Sequence, residues 1–303
     1  MEFSHWLSML KRLSSAAGSL DYFDYDASPL NGFLVNIDGY AASSSKPPWA
    51  SWSDWGWRAL VASASDVAAS GGRPTAVVYS VGVESFDRAL EIAVGVREAS
   101  EWAGVMVLKA DTNRSSGDSW IDVAVIGVSG RPLSRRGARP GDLLVQVGCI
   151  GYGFVAGKAL KGLIDLDRYP ETLGYTRRPK PPLNMGPAIS KCGARAAIDN
   201  SDGWASTLYQ LSEASGVKIV VEEVLAAGEA LELAASLSAA EEDLMESWED
   251  YNLAVAAGAE EAECILGECR RAGVPCAIVG RLEYGVGVYF KSRRLEPSGW
   301  AWF

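Results

Sequence analysis

The octapeptide Ala197-Ile198-Asp199-Asn200-Ser201-Asp202-Gly203-Trp204 constrains the fold more than any other stretch of the chain. An apolar approach runs into two carboxylates three residues apart, with a hydroxyl between them and a glycine behind. This reads as a strand end turning into a helix, capped by Ser201 or Asp202 and presenting free N–H groups that favour an anion. The pattern recurs. Gly32-Phe33-Leu34-Val35-Asn36-Ile37-Asp38-Gly39 runs from a turn into an apolar strand ending in Asp38, and a strand at 105–109 feeds Ala110-Asp111-Thr112-Asn113-Arg114. Carboxylates just beyond apolar strands stand where the sites of α/β proteins collect. Further strands are expected at 76–83, 121–128, 143–147, 217–221, 274–279 and 286–290. Helices are expected at 85–103, 185–192, 205–215 and 260–272, with an acidic helical region at 229–247. At 303 residues the chain is long enough for two core-bearing domains. The expected fold class is therefore α/β (α+β), with the domain boundary in the Gly-, Pro- and Arg-rich segment 130–142.

Composition removes whole classes of chemistry. A net charge of −10 argues against nucleic acid as a partner, because a phosphate backbone demands a basic face, and suits a site that gathers cations. The single histidine is His5, so Ser-His-Asp catalysis and histidine-rich metal sites are excluded. Any catalysis rests on carboxylates, Lys/Arg and metal ions. The five cysteines form no CxxC pair and are expected to be buried free thiols. Apolar runs such as 121–128 fall well short of the roughly 20 residues of a spanning helix, so no membrane partner is expected. Residues 1–18 read as a short amphipathic helix without a signal-peptide core, and the expected location is cytoplasmic.

Several carboxylates are candidates for the cation. Residues 20–26 alternate aromatic and acidic side chains, so as a strand they place Asp21, Asp24 and Asp26 on one face, either solvated or sharing a cation. Residues 41–53 are rich in Ser, Pro and Ala and read as a mobile loop or lid. Asp54 opens a helical pattern that stops at Gly71-Gly72. On it Asp66 lies in a run of small residues, 62–70, which lets a ligand or another backbone come close. An Asp there points to function, because a buried Asp is rare without a partner. Trp49, Trp52, Trp55 and Trp57 are expected in core or interface. In the linker 130–142, arginine geometry suits polyphosphate. The turn Gly148-Cys149-Ile150-Gly151-Tyr152-Gly153-Phe154-Val155-Ala156-Gly157-Lys158-Ala159 mimics two motifs and matches neither. Five residues rather than four separate Gly151 from Gly157, Ala159 follows the lysine, and the third glycine is one place late for a dinucleotide fingerprint.

Four segments in order, Ser65-Asp66-Val67-Ala68-Ala69 with Gly71-Gly72-Arg73-Pro74, Arg136-Gly137-Ala138-Arg139-Pro140-Gly141-Asp142, Ala197 to Gly203, and Glu249-Asp250-Tyr251, carry a family resemblance. Through them nearly the whole chain resembles the thiamine-monophosphate kinases, members of the ATP-dependent superfamily that includes aminoimidazole ribonucleotide synthetase. The resemblance implies an N-terminal domain, 1–133, that binds metal and ATP and whose sheet forms a barrel across a homodimer. It implies a larger C-terminal domain, 134–303, for nucleotide and substrate. The implied reaction passes the γ-phosphate of ATP to thiamine monophosphate; the alternatives are another small phosphorylated or amide acceptor, or nucleotide binding without turnover. Carried over by position, the resemblance puts several magnesium ions on Asp26, Asp38, Asp66, Asp111, Asp199 and Asp202, with turnover depending on Asp66, Asp111 and Asp202. It puts the nucleotide near Ala110, Asp111, Arg135 and Ser201, and the acceptor against Glu249 and Trp300.

The residues read alone agree with that chemistry. Magnesium prefers carboxylate and phosphate oxygens, and an acceptor that is already a phosphate oxygen needs no histidine base. This chain departs from the family pattern at Lys109-Ala110 for Gly-Gly, Asn36-Ile37 for Thr-Thr, Ser43 to Pro48 for the Gly-X-His-Phe loop, Ser247-Trp248 for Gly-Gly and Ala301-Trp302 for Asp-His. Most metal positions are kept, while the acceptor side differs.

Overall fold

A computed structural model describes Arg12 and residues 24–299. Two sheets organise them. The first has five strands, β1 (Ser28–Leu30), β2 (Phe33–Ala41), β3 (Arg73–Val83), β4 (Met106–Arg114) and β5 (Trp120–Val128), in the order β1-β2-β5-β3-β4. All its pairings are antiparallel except β3 with β4. Helices α1 (Trp52–Ala69) and α2 (Phe86–Ala103) cover one face, where the alternate residues Ile121, Val123 and Val125 of β5 are buried. The opposite face lies open, with Phe33, Ile37 and Met106 more than half exposed and every residue of the edge strand β4 exposed.

The second sheet has seven strands. They are β6 (Leu143–Val147), β7 (Ala196–Asp199), β8 (Val217–Val221), β9 (Leu253–Ala257), β10 (Cys276–Tyr284), β11 (Gly287–Phe290) and β12 (Arg293–Arg294). Their order is β12-β11-β8-β10-β6-β9-β7, antiparallel except for β11 beside β8. Strands β7 and β9 are buried along their whole length because both faces are covered. Alternate residues Ala254 and Ala256 join one apolar cluster, while Leu253, Val255 and Ala257 join another. Six helices serve this sheet: α3 (Tyr152–Leu160), α4 (Pro170–Arg177), α5 (Met185–Cys192), α6 (Trp204–Ser215), α7 (Gly228–Ser236) and α8 (Ala259–Ala272).

Helix α1 joins the two halves. Its start is fixed by a capping box in which Ser51 Oγ accepts from Asp54 N and the Asp54 carboxylate accepts from Ser51 N, each at 3.0 Å. It packs on β2 and β5 and also touches β7 and α5 of the second sheet. The small residues expected to allow close approach do so: a Cβ at Gly186 of α5 would stand 2.3 Å from the Gly72 carbonyl oxygen and 2.8 Å from the Ala68 Cα. The tryptophans lie at the interface and core. Trp57 donates to the Pro179 carbonyl at 2.8 Å, and Trp49 to Thr176 Oγ1 at 3.0 Å.

Four expectations are corrected. Residues 24–26 form a turn and bend rather than a strand, and strand structure begins at Ser28; Asp21 and the helix expected at 1–18 lie outside the described residues. Segment 41–53 contains a helical turn at Ala42–Ser45, held by Trp55 Nε1 donating to Ser45 Oγ at 3.0 Å, so it is built onto α1. The acidic region 229–247 breaks into α7 and a 3-10 turn, Glu241–Glu246. Cys192 and Cys264 are joined in a disulfide that ties α5 to α8 across 72 residues, while Cys149, Cys269 and Cys276 are free. Closing a loop of that length stabilises by roughly 4 kcal/mol on chain-entropy grounds.

Candidate active site

The floor of the site is built where α1 passes between the sheets. Asp199 ends β7, is 4% exposed, and accepts from Ser65 Oγ of α1 at 2.7 Å. The next residue on α1, Asp66, lies close to β2, where Asn36 Nδ2 donates to Asp66 Oδ2 at 2.5 Å and to Asp38 Oδ2 at 2.9 Å. Asp26, in the bend before β1, accepts on Oδ1 from Arg135 Nε at 2.8 Å and from its second terminal nitrogen at 2.5 Å. Asp26, Asp66 and Asp199 each offer a carboxylate oxygen within 4.8 Å of the others. They line a cavity of about 380 Å³ with Asp38, Arg135, Ser201 and Asp202.

This is an electrostatically unfinished arrangement. Burial pushes Asp26 up against the opposing pull of Arg135, and pushes Asp38 up with a contribution from the Asp26 charge. Asp66 is raised well above the usual carboxylate range by burial and by the charges of Asp38, Asp199 and Asp26. Asp199 is pushed up to about 8 by burial and the Asp26 charge. The buried Asp26 Oδ2 finds no hydrogen-bond partner among the described residues. A set of hard oxygen donors whose own repulsion disfavours ionisation, with one buried lone pair unused, fits a small divalent cation such as magnesium.

A second pocket of about 250 Å³ adjoins the first. Tyr40, Trp248, Glu249, Tyr251 and the segment 43–48 form its walls, and Ser201 and Asp202 border both cavities. Glu249 is ion-paired with the buried Arg58 of α1, which also donates to the Thr176 carbonyl. Glu249 and Tyr251 hold φ of +52° and +50°, a left-handed backbone that costs non-glycine residues on the order of 1 kcal/mol or more each. Asp250 between them keeps that conformation: its carboxylate accepts from Gly151 N at 2.8 Å and Gly153 N at 3.0 Å. Burial pushes Asp250 up to about 7 against those bonds. Ser247 Oγ accepts from Gly151 N at 2.9 Å and Phe154 N at 3.0 Å. The N–H groups of the glycine-rich turn thus serve Asp250 and Ser247, which explains a motif that resembles a phosphate loop and matches none.

The opening octapeptide is a strand-to-helix turn, with one correction. Neither Ser201 nor Asp202 caps α6; its N-cap is Gly203, at φ +127° and without a side-chain cap. Asn200 does the local work, accepting from Gly203 N at 3.1 Å and donating to the Ser247 carbonyl at 3.1 Å and Asn252 Oδ1 at 3.0 Å. Ser201 and Asp202 are left facing the cavities. Ala110 and Asp111 are not brought there within one chain. They lie inside β4 rather than beyond a strand end, and the register Asp38–Val123–Tyr79–Ala110 separates them from Asp38 by three strand spacings, about 14 Å. Trp300 lies outside the described residues. Arg58 and Asn200 were not anticipated; an arginine amid Trp57, Ala59 and Leu60 on an apolar helix was the available signal.

The two sheets coincide with two family matches. The family description "AIR synthase related protein, N-terminal domain" matches residues 24–129 and its C-terminal counterpart matches 139–291. A thiamine-monophosphate kinase of Pyrobaculum calidifontis is 33% identical over 290 residues, covering 94% of this chain and 92% of its own length. That of Pyrococcus abyssi is 30% identical over 279 residues, covering 88% and 84%. The chain belongs to the thiamine-monophosphate kinase family. The solved structure of AaThiL complexed with AMPPCP and TMP shares the fold at a TM-score of 0.86 and 22% identity, over 98% of this chain and 96% of that one.

The raised carboxylates make a prediction for the metal-free protein. A carboxyl whose folded pKa exceeds its unfolded value stabilises the fold below the unfolded pKa, and that stability is lost as pH rises through the folded value, here up to about 8 for Asp199. Magnesium opposes the loss by favouring the ionised form. The rise in Tm on adding magnesium over EDTA is expected to be larger at pH 8.5 than at pH 5.5; an equal rise at both contradicts the site.

Proposed function

We propose that the protein transfers the γ-phosphate of ATP directly onto thiamine monophosphate, giving thiamine diphosphate and ADP. The observation that carries this reading is the sharing of Ser201 and Asp202 by two unlike cavities, one lined with carboxylates and one walled by aromatic rings and Glu249. A polyanionic donor held through cations on one side then meets a compact acceptor on the other at a single turn. Membership of the kinase family supports the same assignment.

Asp26, Asp38, Asp66, Asp199 and Asp202 are the residues that would hold magnesium. Magnesium bound there supplies charge compensation between two phosphate groups that otherwise repel. The chain's own part is positioning. Ser65 and Asn36 orient the carboxylates, Arg135 balances Asp26, and Ser201 stands at the junction with its hydroxyl toward the nucleotide. In the transfer, an oxygen of the acceptor phosphate bonds to the γ-phosphorus as the bond to the β,γ-bridging oxygen breaks, with the electron pair leaving on ADP. No general base is needed. Glu249, held by Arg58, offers a carboxylate to the cationic thiazolium ring, and Tyr40, Trp248 and Tyr251 offer ring faces of the kind that attract cations.

The family domains suggest units of 1–133 and 134–303, the first for metal, ATP and dimerisation and the second for nucleotide and substrate. The open face of the first sheet and its bare edge β4 favour a homodimer in which two such sheets meet as a barrel. In that dimer β4 carries Ala110 and Asp111 to the partner's half, where they reach nucleotide and metal. A cytoplasmic location accompanies this reading. Among the described residues no helix is long and apolar enough to cross a membrane.

Asp66→Asn and Asp202→Asn are expected to lower thiamine-monophosphate-dependent ADP release by at least about tenfold through lost charge at the cations. Near-normal rates in both remove those residues from the site. For the dimer, Met106→Lys is expected to shift the mass measured by light scattering from two chains to one; a wild-type monomer at micromolar concentration contradicts the barrel.

A further inference from the structure

A third cavity, of about 500 Å³, lies behind the acceptor pocket. Lys158, Lys161, Glu246 and Ser298 line it, and none of these borders the acceptor pocket. Two residues, Leu160 and Trp248, belong to both walls. Resting on the acceptor reading above, we propose that Trp248 is a specificity-determining residue: its indole partitions the two cavities and sets the length of acceptor that the pocket takes.

The placement of Trp248 is built into the fold. Gly153 and Gly157 stand one turn apart on α3, and the chain at Trp248 lies across them. A Cβ at Gly153 would stand 2.0 Å from the Trp248 carbonyl oxygen, and one at Gly157 would stand 3.7 Å from the indole Nε1. The two glycines strip that face of α3 so that the Trp248 backbone lies against the helix with its ring along it. On either side the backbone is pinned to the first turn of α3, by Ser247 Oγ on Gly151 N and Phe154 N and by the Asp250 carboxylate on Gly151 N and Gly153 N. With Ser247 anchored before it and Glu249 N donating to the Ser201 carbonyl at 2.8 Å after it, the indole sits on a held backbone and is a fixed wall. Truncating it opens a passage, because the flanking anchors do not involve the ring.

The reacting phosphate belongs at the Ser201–Asp202 junction, so the end of the acceptor remote from its phosphate points at the partition. Beyond the wall, Lys158 sits 4.5 Å over the Phe154 ring and Lys161 follows on the same helix end, and with Glu246 as the one acidic side chain of the lining that compartment is net positive. The ligand class admitted by an opened wall is therefore an acceptor extended at its pyrimidine end, best with an anionic extension.

The test compares kcat/KM for thiamine monophosphate and for an analogue carrying a carboxylate-terminated substituent on its pyrimidine ring. Trp248→Ala and Trp248→Leu are expected to raise the ratio, analogue over natural acceptor, by at least about tenfold, and Trp248→Phe by far less; a single methylene in an apolar pocket already decides roughly 10- to 200-fold. Adding Lys158→Gln to Trp248→Ala is expected to take back part of the gain. Magnesium-ATP protection against thermal unfolding identifies the variants that have folded, and Trp248→Leu decides the question where Trp248→Ala has not. A ratio within about twofold of wild type in the folded variants overturns the partition. Wild-type turnover with thiamine monophosphate judges the acceptor reading separately; if a different phosphorylated acceptor is the one turned over, the ratio is taken with that compound and its extended analogue.

Discussion

The structure depends on the mutual repulsion of carboxylates drawn from separate elements into one half-dry cavity. Asp38 comes from β2, Asp66 from α1, Asp26 from the bend before β1 and Asp199 from β7 of the other sheet. Burial raises all four, Asp26 against the pull of Arg135, while neighbouring carboxylate charge raises Asp38, Asp66 and Asp199 further. Such an arrangement persists where a cation completes it. The rest of the fold can be read as what holds these groups in place against their repulsion, with α1 wedged between the sheets and carrying Ser65, Asp66 and Arg58 toward three different partners.

The same helix connects the two cavities. Ser65 lies seven positions after Arg58, two turns along α1, so the pairing of Arg58 with Glu249 and of Ser65 with Asp199 fixes the wall of the aromatic-lined pocket and the carboxylate floor to one rigid rod. The left-handed Glu249 and Tyr251 fit the same logic. Their backbone is costly on its own and is held by Asp250 and Ser247 on the first turn of α3. The N–H groups of the glycine-rich turn thus support the wall of the aromatic-lined pocket.

Much of this was legible in the sequence because it is local. The strand-to-helix turn at Asp199, the small-residue run around Asp66 and the apolar strand that carries Asp38 announce themselves by periodicity and by charge in apolar surroundings. The helix Met185–Cys192 and the strand Leu143–Val147 fall where the pattern puts them. What was not legible is set by distance along the chain. The Cys192–Cys264 bond joins residues 72 positions apart, and no spacing rule reports that two helices meet. Asn200 belongs to the turn through its bond from Gly203 N, yet its amide also reaches Ser247 and Asn252, which no local pattern reports. The N-cap moved from Ser201 or Asp202 to Gly203 because a positive φ is required there, and a Cβ would meet the Ser298 carbonyl at 2.6 Å. Asp38 and Asp111 both look like strand-end carboxylates in sequence, but β2 continues past Asp38 to Ala41 and β4 continues past Asp111 to Arg114 on an open edge; only Asp199 ends its strand.

Direct transfer between two cavities that meet at one turn is the claim on which the account stands. Single-turnover reaction with ATP labelled at the γ-phosphate, excess enzyme, magnesium and thiamine monophosphate tests it. The account predicts that the label appears in thiamine diphosphate at the rate at which it leaves ATP. Label released as inorganic phosphate, or retained on the protein before reaching the acceptor, would contradict it.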